Sequence, residues 1–151
     1  MKVQDKITIK ADKTAIWKVI AKLSAYADWN PFLTSVEGCF EVNSLLHITI
    51  SSSNGRQTRK QAVITGLVPE RYFSLSITSP FGKWFYELEY IFRFVVNEEA
   101  HDEPANTVEV IHEVFCHGLS LRWRKNKFKQ FFLRGLGQVN TALKDKTTTS
   151  G

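Results

Sequence analysis

Residues 11–32 read ADKTAIWKVIAKLSAYADWNPF and carry two messages. In the first half Ile16, Val19, Ile20 and Leu23 recur at steps of three and four behind Asp12, a capping residue. That spacing predicts an amphipathic helix of about three turns. The second half, Ala25 to Phe32, reads as a connection, yet it holds Trp29, Pro31 and Phe32. Rings on a connection either turn into a core or meet a ligand, and both readings stand for these three residues.

Upstream, VQDKITIK (residues 3–10) alternates Ile7 and Ile9 with polar residues, the period of a half-buried strand. Downstream, SVEGCF, LLHITI, RKQAVITGLV, RYFSLSIT, WFYELEYIFRFVV and NTVEVIHEVFCHG are strand-like in length and rich in branched or aromatic residues. Between them SSSNGR, VPER, SPFGK and NEEAHDEPAN read as turns or loops. From about Leu121 to Lys146 the period becomes helical again. Phe128, Phe131, Phe132, Leu136, Val139 and Leu143 form one stripe, with cations over much of the remainder. Gly135 and Gly137 interrupt that helix at roughly 1 kcal/mol each relative to alanine. Gly135, beside the aromatic stripe, either permits a close approach or leaves open space.

The order is therefore strand, helix, aromatic connection, six strands and a long helix: an α+β chain. Six short-linked strands imply an antiparallel meander curved around the last helix. The length of 151 residues suits one core, and residues 1–146 are expected to form one domain. Residues 147–151 read as a disordered tail or a cloning scar.

Residues 11–32, with Trp17 in the helix and Trp29-Asn30-Pro31-Phe32 after it, together with the late GLSLRW turn, resemble the SRPBCC superfamily. This superfamily is also called START-related or birch-pollen-allergen-like. The resemblance is to its polyketide cyclase/dehydrase-like bacterial branch and covers residues 3–145. It implies the helix-grip fold: a curved seven-stranded antiparallel sheet wrapped around the C-terminal helix, two short helices after the first strand, and an apolar cavity between sheet and helix. The aromatic connection would then form the second small helix or its exit and help close the cavity mouth or the nearby core.

Alternation selects the lining. Glu87, Glu89 and Arg93 share one phase, which places Trp84, Tyr86, Leu88, Tyr90, Phe92 and Phe94 on the other face. Glu109 and Glu113 likewise leave Val108, Val110, His112, Val114 and Cys116 pointing inward, and Phe73, Leu75 and Ile77 extend that face. The expected ligand-binding set is Trp29, Phe32, Trp84, Tyr86, Tyr90, Phe92, His112, Phe128, Phe132 and Gly135. His112 is either a satisfied core histidine or the one candidate for proton transfer.

Phosphate-cradling glycine loops, HExxH, nucleophile elbows and paired metal-binding cysteines are missing from the sequence. No cofactor or metal is expected. The leading function is binding of a hydrophobic or amphipathic small molecule such as a lipid, isoprenoid or aromatic polyketide. A cyclase/dehydratase-type enzyme is the alternative, and a module contacting proteins or ribosomes through its basic helix is a third. Net charge is +5, from 20 basic and 15 acidic residues, and the run RWRKNKFK from Arg122 to Lys129 could meet an anionic partner or simply solvate the helix. DNA binding and a transmembrane segment are not expected, and a homodimer is open. Two unpaired cysteines, without a signal peptide or a long apolar span, lead us to expect the cytoplasm.

Overall fold

The computed structural model describes residues 1–52, 54–96 and 107–149, so the expected loop NEEAHDEPAN, with His101, lies outside the described residues. The strands are β1 (Lys2–Lys10), β2 (Leu33–Glu37), β3 (Leu45–Ser51), β4 (Gln57–Val68), β5 (Tyr72–Thr78), β6 (Glu87–Val96) and β7 (Thr107–His117). They form one antiparallel sheet in the order β1-β7-β6-β5-β4-β3-β2. Strands β2 to β7 are a meander, and β1 closes onto β7 with Ile7 opposite Val110 and Asp5 opposite His112. The long helix α3 (Leu121–Thr149) packs against β1 and β7, while its backbone scarcely approaches β3, β4 and β5. This is the helix-grip arrangement.

Helices α1 (Lys13–Ala21) and α2 (Tyr26–Trp29), with a short 3-10 turn at Leu23–Ala25, carry the chain from β1 to β2 at the opposite edge. Ile16 and Ile20 of α1 are buried, as their spacing requires. The connection after α2 then has a physical account. Asn30 is buried, and its Oδ1 accepts hydrogen bonds from the backbone N–H of Phe32 (3.0 Å) and of Leu33 (2.8 Å). This side-chain turn reverses the chain after Pro31 and drives the Phe32 ring into the core. The Tyr26 hydroxyl donates to the Ile20 carbonyl at 2.6 Å, tying α2 back to α1.

The inner sheet face follows the alternation through Val108, Val110, His112, Val114 and Cys116 on β7 and Leu88, Tyr90 and Phe92 on β6, all buried. On the outer face Glu113 is buried too, because Arg93 grips it at two points (2.8 and 3.2 Å) and Lys2 reaches it at 3.0 Å. Burial pushes that carboxyl up, but the bonds from Arg93 and Lys2 outweigh it and hold Glu113 below the usual carboxylate range. In α3 the residues Phe132, Leu136, Val139 and Leu143 are buried and Phe128 is half-buried. The helix runs through Thr149 and so takes in the first residues of the expected tail. Thr147 is buried, and its hydroxyl donates to the Leu143 carbonyl at 2.7 Å.

Candidate functional site

The inner face carries a polar chain as well as rings. Asp5 on β1 accepts a bond from Asn140 Nδ2 of α3 at 2.7 Å. A carboxylate can only accept, so the Asn140 amide nitrogen faces Asp5 and its Oδ1 faces His112 Nδ1, also at 2.7 Å. His112 Nδ1 therefore carries the hydrogen, and its Nε2 is left to accept from the Tyr90 hydroxyl at 3.0 Å. The carboxylate sets the direction of the whole chain: Tyr90 to His112 to Asn140 to Asp5.

Burial tunes both titrating members. His112 is 0% exposed, and desolvation pulls its imidazole down to about 3, only partly offset by the bond to Asn140. It is neutral near pH 7. Burial pushes the Tyr90 phenol well above its ordinary value, with the nearby Tyr26 adding to the shift, so Tyr90 remains a donor. Chemically this is a fixed network of neutral Tyr90, His112 and Asn140 anchored on the Asp5 carboxylate, and its unused capacity at the inner end is a lone pair on the Tyr90 oxygen. As the sequence reading allowed, His112 is a satisfied core histidine in this arrangement, and its one basic nitrogen is occupied by Tyr90.

Farther along the inner face stands Lys60, in the same phase as Ala62 and Ile64 of β4. Its Nζ donates to the Tyr86 hydroxyl at 2.8 Å, and both side chains are half-buried. Lys60, Asn140 and Asp5 were not among the expected site residues. Each had a signal: a polar side chain in the buried phase of its element, Lys60 with Ala62, Asn140 with Val139 and Leu143, Asp5 with Val3 and Ile9.

Some of the rings expected in the wall do meet one another inside the fold. Phe92 stacks on Phe73 at 4.8 Å and meets Tyr90 edge-on at 5.3 Å. Phe128 stacks on Phe132 at 6.1 Å, and Trp29, partly buried, packs edge-on against Tyr26 with its indole N–H buried and unpartnered. Trp84 does not belong to the wall. The strand begins at Glu87, and the preceding residues form a turn in which Trp84 is 65% exposed. At Gly135 the structure decides between the two readings: it leaves no open space. The Phe32 ring lies directly on it, where an added Cβ would collide with three ring carbons, and that ring packs on Phe131 at 5.4 Å and Phe132 at 6.1 Å. The glycine thus permits a close approach.

Rings therefore fill the space around Gly135. Outside them, a half-open recess of about 210 Å³ is lined by Phe32, Phe131, Gly135, Ser51, Lys127 and Gln138 among others, at the seam between the β2–β3 edge and α3. A larger half-open groove of about 810 Å³ crosses the outer sheet face past His47, Arg59 and Gln61, and it is not the site the sequence pointed to.

The two glycines of α3 should respond oppositely to alanine. Gly135→Ala must expel the Phe32 ring and should cost about 1–3 kcal/mol. Gly137, with nothing within 4 Å of an added Cβ, should gain up to about 1 kcal/mol from helix propensity. Urea denaturation of the two variants checks this, and equal responses would show that Phe32 is not seated on Gly135.

No protein-family model and no curated protein sequence matches the chain. Solved structures do match in shape. A START superfamily protein from Mycobacterium smegmatis superposes with a TM-score of 0.76 at 14% identity, covering 99% of each chain. An aromatase/cyclase from a Streptomyces species gives 0.74 at 14% identity over 98% of this chain and 93% of that one. A di-domain aromatase/cyclase gives 0.70 at 13% identity over 96% of this chain and 49% of its own. No described helix is long and apolar enough to cross a membrane. With its seven-stranded sheet curled around α3, the chain has the helix-grip fold of START and polyketide cyclase-like proteins.

Proposed function

We propose that the protein binds an apolar or amphipathic small molecule, such as a lipid, isoprenoid or aromatic polyketide, between the β3–β5 half of the sheet and the N-terminal half of α3. One observation carries this reading. The α3 backbone keeps to β1 and β7, and its N-terminal half carries a cluster of rings, Phe128, Phe131 and Phe132, that meets Phe32 side chain to side chain. Rings can turn aside without breaking a backbone hydrogen bond, and an apolar ligand replaces the contacts they give up. On this reading the recess at Phe32 and Phe131 is the way in, and the Lys60–Tyr86 pair, with Lys60 in the inward phase of β4, holds a polar or anionic end. Likeness in shape to START and aromatase/cyclase structures supports the class of ligand. The thiols Cys39 and Cys116 are both free, which suits a reducing compartment such as the cytoplasm.

An environment-sensitive apolar dye should bind with a single-site isotherm and be displaced by a long-chain fatty acid. Phe131→Ala, by opening the mouth, should tighten dye binding severalfold. Lys60→Met should weaken the fatty acid about tenfold while leaving the corresponding alcohol unchanged. A protein that binds neither dye nor fatty acid would sink the reading. The cyclase/dehydratase alternative has its own observation, the Tyr90–His112 pair: Tyr90, oriented by neutral His112 behind it, would be the group meeting substrate, through the lone pair its oxygen keeps.

A further inference from the structure

The end of the molecule where β5 turns into β6 and β7 turns into α3 is built differently from the rest. The β5–β6 turn is folded on itself by backbone bonds from Ser79 to Tyr86 (3.1 Å) and from Phe85 to Gly82 (3.2 Å). It is then fastened to the β7–α3 turn, because Leu119 and Ser120 donate to the carbonyls of Trp84 and Phe85 at 3.0 Å each. Gly118, at φ +125°, makes this fastening feasible, since a Cβ there would collide with the Phe85 carbonyl. Two turns distant in sequence thus form one rigid tip.

That tip shows its rings to solvent. Phe81 is 71% exposed, Trp84 65% and Trp123 76%, with Leu119 beside them. The other exposed large apolar side chains are at most 51% exposed, so these three rings, on braced backbone, are the most exposed apolar groups among the described residues and form an apolar patch. Immediately behind it, the first turns of α3 expose Arg122, Arg124, Lys125, Lys127 and Lys129, and no acidic residue occurs from Gly118 to Lys144. The ion pairs among the described residues involve none of these five cations.

We propose that this tip docks on an anionic lipid surface, with Phe81, Trp84, Leu119 and Trp123 entering the interface and the five α3 cations meeting the headgroups. Charge complementarity selects the partner. Cations flanking indole rings suit the layered interface of a bilayer, where apolar depth and negative headgroups lie one behind the other. A nucleic acid would use the cations and leave aliphatic Leu119 without a role. The assignment is independent of whether a ligand binds inside the fold, because of these residues only Lys127 borders the recess, and the variants of the test leave it in place.

The test is co-sedimentation with vesicles of phosphatidylcholine alone or with one third phosphatidylglycerol. Wild type should bind the anionic vesicles at low salt, bind neutral ones at least tenfold more weakly, and be released by salt. Trp84→Ala/Trp123→Ala and Arg124→Glu/Lys125→Glu should each lower partitioning to anionic vesicles at least tenfold, with unchanged thermal midpoints because all four side chains are exposed. Lipid-borne quenchers should dim the wild-type tryptophan emission. Absence of binding to anionic vesicles would overturn the proposal. So would loss of binding in the charge-reversal variant alone combined with tight binding of a polyribonucleotide, which would assign the cations to nucleic acid.

Discussion

Acidification from pH 6.5 to pH 4 is expected to remove roughly 3 kcal/mol of stability through His112 alone. Its imidazole sits at about 3 in the folded chain because desolvation opposes its charge, against about 6.5 when unfolded. Above 6.5 both states are neutral and the fold keeps its full stability. Below it the unfolded chain takes up a proton that the folded chain refuses, so stability falls by about 1.4 kcal/mol per pH unit until the folded group itself titrates. Glu113, held below its ordinary range, contributes in the same direction, since protonating it also favours the unfolded chain as pH falls. The two are separated by His112→Gln, whose amide can still accept from Tyr90 but does not titrate. Urea midpoints of wild type and variant across pH 7 to 4 should converge in acid, because only the wild type pays for protonating the buried ring. Parallel curves would mean that His112 reaches solvent in the native ensemble.

The architecture was legible because the physics that sets it is local. Period-two alternation marked six strands after the first helix, and the stripe through Phe132, Leu136, Val139 and Leu143 marked the face of α3 that is in fact buried. Reading failed where alternation was carried past its element. Trp84 is in phase with Tyr86 and Tyr90, but Gly82, at φ +103°, and the bonds within Ser79–Tyr86 turn the chain before β6 begins. Gly135 was ambiguous for a different reason. The residue opposite it is Phe32, placed there by the Asn30 turn at the far end of the chain, and no local rule names that neighbour.

The polar chain shows the same limit. Asp5, Asn140 and His112 each break an apolar phase, and each oddity was visible in sequence. Their union depends on β1 pairing with β7 in the register that sets Asp5 opposite His112, and on α3 crossing those two strands. A buried polar group without partners costs several kcal/mol, so three such groups in the buried phase had to find one another or water. Sequence could therefore announce the need for a network, and topology supplied its members.

Replacing Phe132 with alanine should be the most damaging single truncation in α3. The ring is 4% exposed and meets three other phenylalanines: Phe32 at 6.1 Å, Phe131 at 5.2 Å and Phe128 stacked at 6.1 Å. Its removal forfeits the transfer energy of the ring and leaves a void at the centre of the ring cluster; the expected cost is about 3–5 kcal/mol. In thermal unfolding of a chain this size that corresponds to a midpoint lower by roughly ten degrees. Trp123→Ala, a larger truncation by volume on the same helix, should stay within about 0.5 kcal/mol because its ring is already in water. The void offers a second readout. If the rings stand in for a ligand, a small apolar molecule such as benzene or indole should fill the space in Phe132→Ala and restore part of the lost midpoint in proportion to the logarithm of its concentration. Equal shifts for Phe132→Ala and Trp123→Ala would show that the ring cluster does not hold the helix to the sheet. A large shift that no apolar molecule restores would show that the site collapses, and that the space beneath α3 is core alone.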